Sequence, residues 1–182
     1  LQATYLNIRN PNLADVNLRE ALTLAFDFDW MNKALFFGIY TRTTSYFDNT
    51  KFAAKGLPTG KELEILSKFK GQIPEEVFTK EFVMPSTNAN PFKNRENLKR
   101  ALKLLTDAGY RIDKNLLISP HTGKPVVVEV IYHLQQFERL LNAYKDNLAK
   151  IGITLNLRFL DHAQYQKRMQ TFDFEMTTAA FN

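Results

Sequence analysis

Between Phe137 and Phe159 the chain changes its hydrophobic period once, across a single glycine. Phe137, Leu140, Leu141, Tyr144 and Leu148 recur at three- and four-residue intervals, which lays them along one face of a helix. Beyond Gly152 the period drops to two. Ile153, Leu155, Leu157 and Phe159 alternate with Thr154, Asn156 and Arg158, the pattern of a strand with one buried face. A helix that passes so abruptly into a strand buries both apolar faces by folding back onto the sheet that the strand joins. This one junction therefore points to a layered α/β fold.

The rest of the second half keeps the alternation. "NRENLKRALKLLTDAGY" sets Leu98, Ala101, Leu102, Leu105 and Ala108 on one stripe and leaves Lys99, Arg100, Lys103 and Asp107 outside it. Asn94 is the expected N-cap, and Gly109 the expected left-handed stop. "NLLISPHTGKPVVVEVIYH" reads as two β-rich runs joined through Pro120, Gly123 and Pro125, a predicted hairpin. A short helix over 162–170 leads to a last strand in "FDFEMTTAAF". Near the start, "ATYLNIRNP" fits a short strand closed by a turn. Asp15 can cap a helix carrying Leu18, Ala21, Leu22 and Ala25, and Asp29 a second helix through Trp30 and Leu35 that ends near Gly38. The expected fold class is α/β, a mixed sheet with flanking helices, in a single domain over 1–182.

Residues 39–92 break the regularity. "GLPTG" is a breaker cluster, and Pro74, Pro85 and Pro91 forbid a long helix. Leu63, Ile65, Leu66 and Phe69 support one short helix within 61–70. An excursion of this length inside a compact domain is usually functional or tied down on another surface. Its first part, "LFFGIYTRTTSYF", is crowded with aromatic and basic side chains, in a chain whose aromatic share is 13% with 15 Phe.

Several classes of chemistry have no residues to carry them. The chain has no cysteine, which removes disulfides, thiolate metal sites and cysteine nucleophiles. Its seven glycines form no phosphate loop and no GxSxG elbow. His121, His133 and His162 fall in a predicted turn, at a strand end and at a helix start, without metal-ligand spacing. Asp27 and Asp29 lie between two helices, where capping explains them better than acid–base catalysis. The net charge of +5 is spread over 24 basic and 19 acidic residues, so no nucleic-acid-binding face is indicated. Nothing in the sequence rises above background as an active site, so no enzyme, no cofactor, no metal and no nucleic acid is expected. No run of about 18 apolar residues is present. The start, "LQATYLNIRNP", has no initiator Met and no signal-peptide pattern, and "FDFEMTTAAFN" stops directly after a strand-like run. Both ends read like the interior of a longer chain.

Four segments, in order and in register, resemble one family. "DVNLREALTLAFD" resembles the D-V-R-V-R-x-A-L-x-x-A-I-D helix of the extracellular solute-binding proteins of family 5, the peptide, oligopeptide and nickel binding components of ABC importers. "NLKRALKLLTDAGY" is similar to that family's A-x-x-L-L-x-E-A-G-Y helix, "YKDNLAKIGITLNLRF" to its helix-to-strand step, and "FDFEMTTAAF" to its Y-D-M strand. The excursion is similar to the Yej-type oligopeptide and microcin C uptake subgroup, whose second helix runs into Y-T-R-T-x-S-x-F; here residues 40–47 read YTRTTSYF. The resemblance implies one lobe of a two-lobed, periplasmic-binding-protein-like type II fold, the second lobe of a longer chain. Its implied partners are a peptide or peptide-like ligand held between the lobes, the missing first lobe, and ABC permease subunits. The implied location is the periplasm. A sensory or regulatory domain built on the same lobe is the alternative.

On that reading Tyr40, Arg42, Tyr46 and Phe47 are expected at the cleft wall. Flat aromatic faces bury area with few rotors, and arginine offers a planar fork to a carboxylate. Asn7 and Arg9 on the entering strand, and Arg168 with Lys167 before the return strand, are further candidates. The competing expectation makes the aromatics core and leaves the bases solvated.

Overall fold

The structure is a computed structural model and describes residues 2–180. The chain falls into two compact units, one made of the sequence up to Tyr40 and from Pro85 onward, the other of Thr41–Met84. The sequence suggested one domain bearing a long excursion, and the second unit is the body of that excursion.

In the first unit β1 (Gln2–Leu6) leads through a 3-10 turn at Pro11–Leu13 to α1 (Val16–Ala25) and α2 (Phe28–Phe36). In the second unit lie α3 (Gly60–Ser67) and α4 (Glu76–Thr79). The first unit resumes with α5 (Pro91–Asp107), β2 (Arg111–Asp113), β3 (Leu116–Ile118), β4 (Val127–Tyr132), α6 (Glu138–Ala149), β5 (Thr154–Phe159), α7 (His162–Gln170) and β6 (Met176–Ala180). Phe181, the last residue of the predicted return strand, lies outside the described residues.

The main sheet has the order β1-β6-β4-β5. β4 runs parallel to both β5 and β6, while β1 is antiparallel to β6, with Gln2 opposite Ala180 and Leu6 opposite Met176. Side-chain alternation divides the two faces. Val128, Val130 and Tyr132 of β4 join Leu155 and Met176 in a large core with Leu18 and Leu22 of α1, Leu98 and Leu105 of α5, and Leu141 and Leu148 of α6. Ile131 turns to the opposite face and packs with Leu160, Tyr165 of α7 and Phe174. The sheet thus carries α1, α5 and α6 on one side and α7 on the other, the mixed α/β layer that the period change at Gly152 requires.

Three local expectations shift. The long helix begins at Pro91, with the Asn90 side chain accepting from the Phe92 N–H at 2.9 Å. Proline suits the first helical position because its missing N–H would have no intrahelical partner there. Asp27, not Asp29, caps α2 by accepting from the Trp30 N–H at 3.2 Å. The predicted hairpin between β3 and β4 shrinks to a single bridge, Ile118 to Pro125. β3 pairs instead with β2, across a tight turn in which Lys114 and Asn115 both take positive φ (47° and 66°), the requirement of a two-residue type I′ connection. β4 then runs on into the centre of the main sheet.

Thr41–Met84 has no fully buried residue, and its two short helices bury none of their side chains. No helix among the described residues is long and apolar enough to cross a membrane.

Candidate functional site

The parallel pairing of β4, β5 and β6 gives the sheet two unlike edges. In open α/β sheets the carboxyl ends of parallel strands form the usual ligand-facing edge. Here that edge also holds the start of β1, since Gln2 lies opposite Ala180. Leaving β4, the chain presents Tyr132, His133 and Leu134; leaving β5, it presents Phe159, Leu160, Asp161 and His162. Phe159 and Leu134 are exposed, and Phe159 meets the Tyr132 ring edge-on at 5.5 Å. The His133 ring lies 4.2 Å from the Tyr165 ring and 5.2 Å from that of His162. Tyr165 is fixed by its hydroxyl, which donates to the Thr178 carbonyl and shares a hydrogen bond with Thr177 Oγ1, both at 2.9 Å. Burial, and then the charge of His162, hold the His133 imidazole below its ordinary pKa.

The amino edge is closed by polar ties. Asn7 is buried, and its side-chain N–H groups donate to the carbonyls of Phe172 (2.9 Å) and Phe174 (2.8 Å). Its side-chain oxygen accepts from the Arg9 N–H at 3.1 Å. The Arg9 guanidinium lies 3.9 Å from the centre of the Phe172 ring, a cation–π stack. Arg168, in the last turn of α7, pairs with Glu129 of β4 at 2.8 Å and with Asp173 at 3.1 Å. Glu175 completes the edge by accepting from the Glu129 N–H and from Asn12 Nδ2, each at 2.6 Å. Three of the residues expected from sequence, Asn7, Arg9 and Arg168, are thus brought together at this end of the sheet, where each holds the frame.

Tyr40 ends the first unit's first segment. Its backbone is held twice by Asn32 of α2: Asn32 Nδ2 donates to the Tyr40 carbonyl (2.7 Å), and the Tyr40 N–H donates to Asn32 Oδ1 (3.1 Å). The Tyr40 ring stands edge-on to Phe36 at 5.1 Å and remains exposed. α2 also grips the chain where it returns. Asp29 accepts from Ser86 Oγ (2.6 Å), the Thr87 N–H (2.7 Å) and the Asn88 N–H (2.8 Å), and Thr87 Oγ1 donates to Asp27. Both points at which the chain leaves and re-enters the first unit are therefore pinned to one helix.

In the second unit Arg42 is half-buried, whereas Tyr46 is 85% and Phe47 59% exposed. Phe47 meets Phe52 edge-on at 6.4 Å. Ser45 Oγ accepts from the Phe47 and Ala54 N–H groups (both 3.2 Å), and Asp48 accepts from the Thr44 N–H (2.6 Å). The loop backbone is fastened from within while its aromatic rings stay outside. Exposed rings on a fastened loop are what an adaptable apolar binding surface requires.

Sequence reasoning missed the carboxyl-edge group of His133, His162 and Tyr165. Its signal is readable once β4 and β5 are paired with Tyr132 opposite Phe159, because the residues that follow each strand then share an edge. Among the described residues no three histidine, aspartate or glutamate side chains converge as a metal cage would need.

The model of the bacterial extracellular solute-binding proteins, family 5, matches residues 1–182, the whole chain. A probable peptide-binding protein, YejA of Agrobacterium fabrum, is 41% identical over 97% of this chain and 29% of its own length. YejA of Escherichia coli K12 is 37% identical over 93% of this chain and 28% of its own length. The chain therefore spans less than a third of the length of the curated relatives it matches. Among solved structures, the oligopeptide-binding protein AppA of Bacillus subtilis, in complex with a nonapeptide, superposes with a TM-score of 0.67 over 98% of this chain and 32% of its own, at 16% identity. That likeness extends to the fold.

Proposed function

Because the chain belongs to the bacterial extracellular solute-binding proteins of family 5, we propose that it is one lobe of the substrate-binding component of an ABC importer that captures peptides or peptide-like solutes. In this reading a second lobe of the same polypeptide closes over the ligand by hinge motion and presents it to membrane permease subunits from the periplasm. The work is capture and delivery, without chemistry. The relatives' names, as binding proteins, support this.

The observation that carries the reading is the uncovered aromatic run at the start of the second unit. Tyr46 and Phe47 are exposed on a loop that is fastened by hydrogen bonds from the Phe47 and Ala54 N–H groups to Ser45 Oγ. A peptide site must accept varied side chains, and flat rings do so with little loss of rotamer freedom. Tyr40, Arg42, Tyr46 and Phe47 are the proposed ligand contacts, with Arg42 facing a carboxylate. Asn7, Arg9 and Arg168 support the frame from the amino edge. The test uses the two-lobed polypeptide. Mass spectrometry of the co-purifying solute is expected to find peptides, and calorimetry with such a peptide is expected to show Arg42→Ala weakening affinity about ten-fold, the loss of one charge-assisted contact. A co-purifying solute with no peptide character would overturn the class. Unchanged affinity would remove Arg42 alone.

A further inference from the structure

The histidine pair at the carboxyl edge brings two imidazoles to a separation that a shared metal ion would also accept. His133 follows β4 and His162 opens α7, and their ring centres are 5.2 Å apart with planes inclined at 60°. With metal–nitrogen bonds of roughly 2.0–2.1 Å and a ring nitrogen about 1.1 Å from its ring centre, two imidazoles on a tetrahedral ion have centres about 5 Å apart. The His133 Nδ1 is buried and has no hydrogen-bond partner among the described residues. A buried ring nitrogen of this kind is ordinarily paired.

The support behind the pair is rigid. The His133 ring rests 4.2 Å from the ring of Tyr165, itself fixed through its hydroxyl to Thr177 and Thr178 on β6. His162 is exposed at the head of a nine-residue helix. Asp161, its neighbour, is committed to the helix cap, accepting from the Gln164 N–H at 2.8 Å. Two imidazoles held just beyond the carboxyl ends of adjoining parallel strands, one anchored and one open to solvent, make half of a tetrahedral coordination sphere and leave the other positions for exchangeable ligands.

We propose that His133 and His162 form a two-histidine site for a borderline divalent transition-metal ion of the zinc class. Imidazole nitrogen suits such ions, while magnesium and calcium prefer oxygen. The site does not depend on the importer reading, and its test needs no solute.

Zinc(II) alone is titrated calorimetrically into the untagged 182-residue protein at pH 7.5. One equivalent is expected to bind. His162→Gln, a change at an exposed position, is expected to weaken binding at least ten-fold while leaving the far-UV spectrum and the metal-free melting temperature unchanged. His133→Gln is expected to do the same to binding. His121→Gln removes the histidine that faces Asp15 instead and is expected to bind zinc like the parent. Absence of binding to the parent overturns the proposal. So does equal affinity in parent and His162→Gln, or loss of binding in His121→Gln. If His133→Gln fails to fold, His162→Gln decides the matter by itself.

Discussion

Replacing Asn7 by alanine removes three side-chain hydrogen bonds. Two of them satisfy the carbonyls of Phe172 and Phe174, and the third holds the Arg9 N–H. Each intramolecular bond contributes about 1 kcal/mol net, and a buried polar group left without a partner costs about 1–3 kcal/mol. The Phe174 bond is buried and the other two are partly so, which sets the expected loss at about 2–4 kcal/mol. For a chain of this size that is a fall in melting temperature of roughly 5–15 °C. Asn7→Asp should do worse at neutral pH, because it keeps the acceptor for Arg9 but turns a carboxylate toward two carbonyl oxygens. The assay is urea unfolding followed by circular dichroism, with hydrogen exchange of the β1 and β6 amides to localise the effect. A loss below about 0.5 kcal/mol, or an aspartate variant as stable as the asparagine parent, would refute the frame-holding role.

Two further perturbations address other parts of the frame. Burial raises the pKa of Asp15, but hydrogen bonds from the Tyr110 hydroxyl, the Asn17 N–H, His121 and the Asn17 side chain outweigh it, so the carboxyl lies below its ordinary value of 3.8. A depressed carboxylate contributes stability that is present above its unfolded pKa and lost as pH falls through the folded one. Asp15→Asn is therefore expected to be less stable than the parent at pH 6, with the gap closing below about pH 4; a gap constant with pH in denaturant titrations would contradict this. Gly152 has φ +80°, and a Cβ there would stand 2.7 Å from the Leu117 backbone nitrogen. Gly152→Ala is expected to cost about 2–4 kcal/mol. Gly123→Ala, at φ +67° with no atom within 4 Å, is expected to cost about 1 kcal/mol, and thermal melts of the pair separate steric conflict from backbone strain.

What the sequence disclosed follows from the range of the forces involved. α6, Gly152 and β5 were legible because a period of 3.6 or 2 is written within a dozen residues, and the expected helix over 162–170 matches α7. The start of α5 slipped because Pro91 reads as a breaker until Asn90 is seen capping it. The β2–β3 turn was hidden because Lys114 and Asn115 take the left-handed region without the Asn-Gly signature that usually announces it. Asn7 was legible as a polar residue at a strand end, and its work was not, since its partners Phe172 and Phe174 lie 165 and 167 residues away. The aromatic run 40–47 was visible as composition, but only coordinates separate exposed Tyr46 from half-buried Arg42. The pairing of His133 with His162 required the parallel register of β4 and β5.

The two edges of the sheet are built for different ends. At the amino edge Asn7, Arg168, Asp173, Glu129 and Glu175 use their polar groups on one another and on the backbone. A paired carboxylate and guanidinium gain from staying together, since parting them leaves a partly buried charge alone. At the carboxyl edge the apolar side chains of Phe159 and Leu134 stay uncovered, His133 keeps a buried nitrogen without a partner among the described residues, and β1 begins beside the end of β6. A lobe that must close on a ligand and open again needs one end that resists deformation and one that retains unmet capacity for contact. Under the proposed function this polarity makes the amino edge the fixed frame and leaves the carboxyl edge available for contact. It also explains why substitutions at Asn7 or Arg168 should register in stability, whereas those at His162 or Phe159 should register in binding.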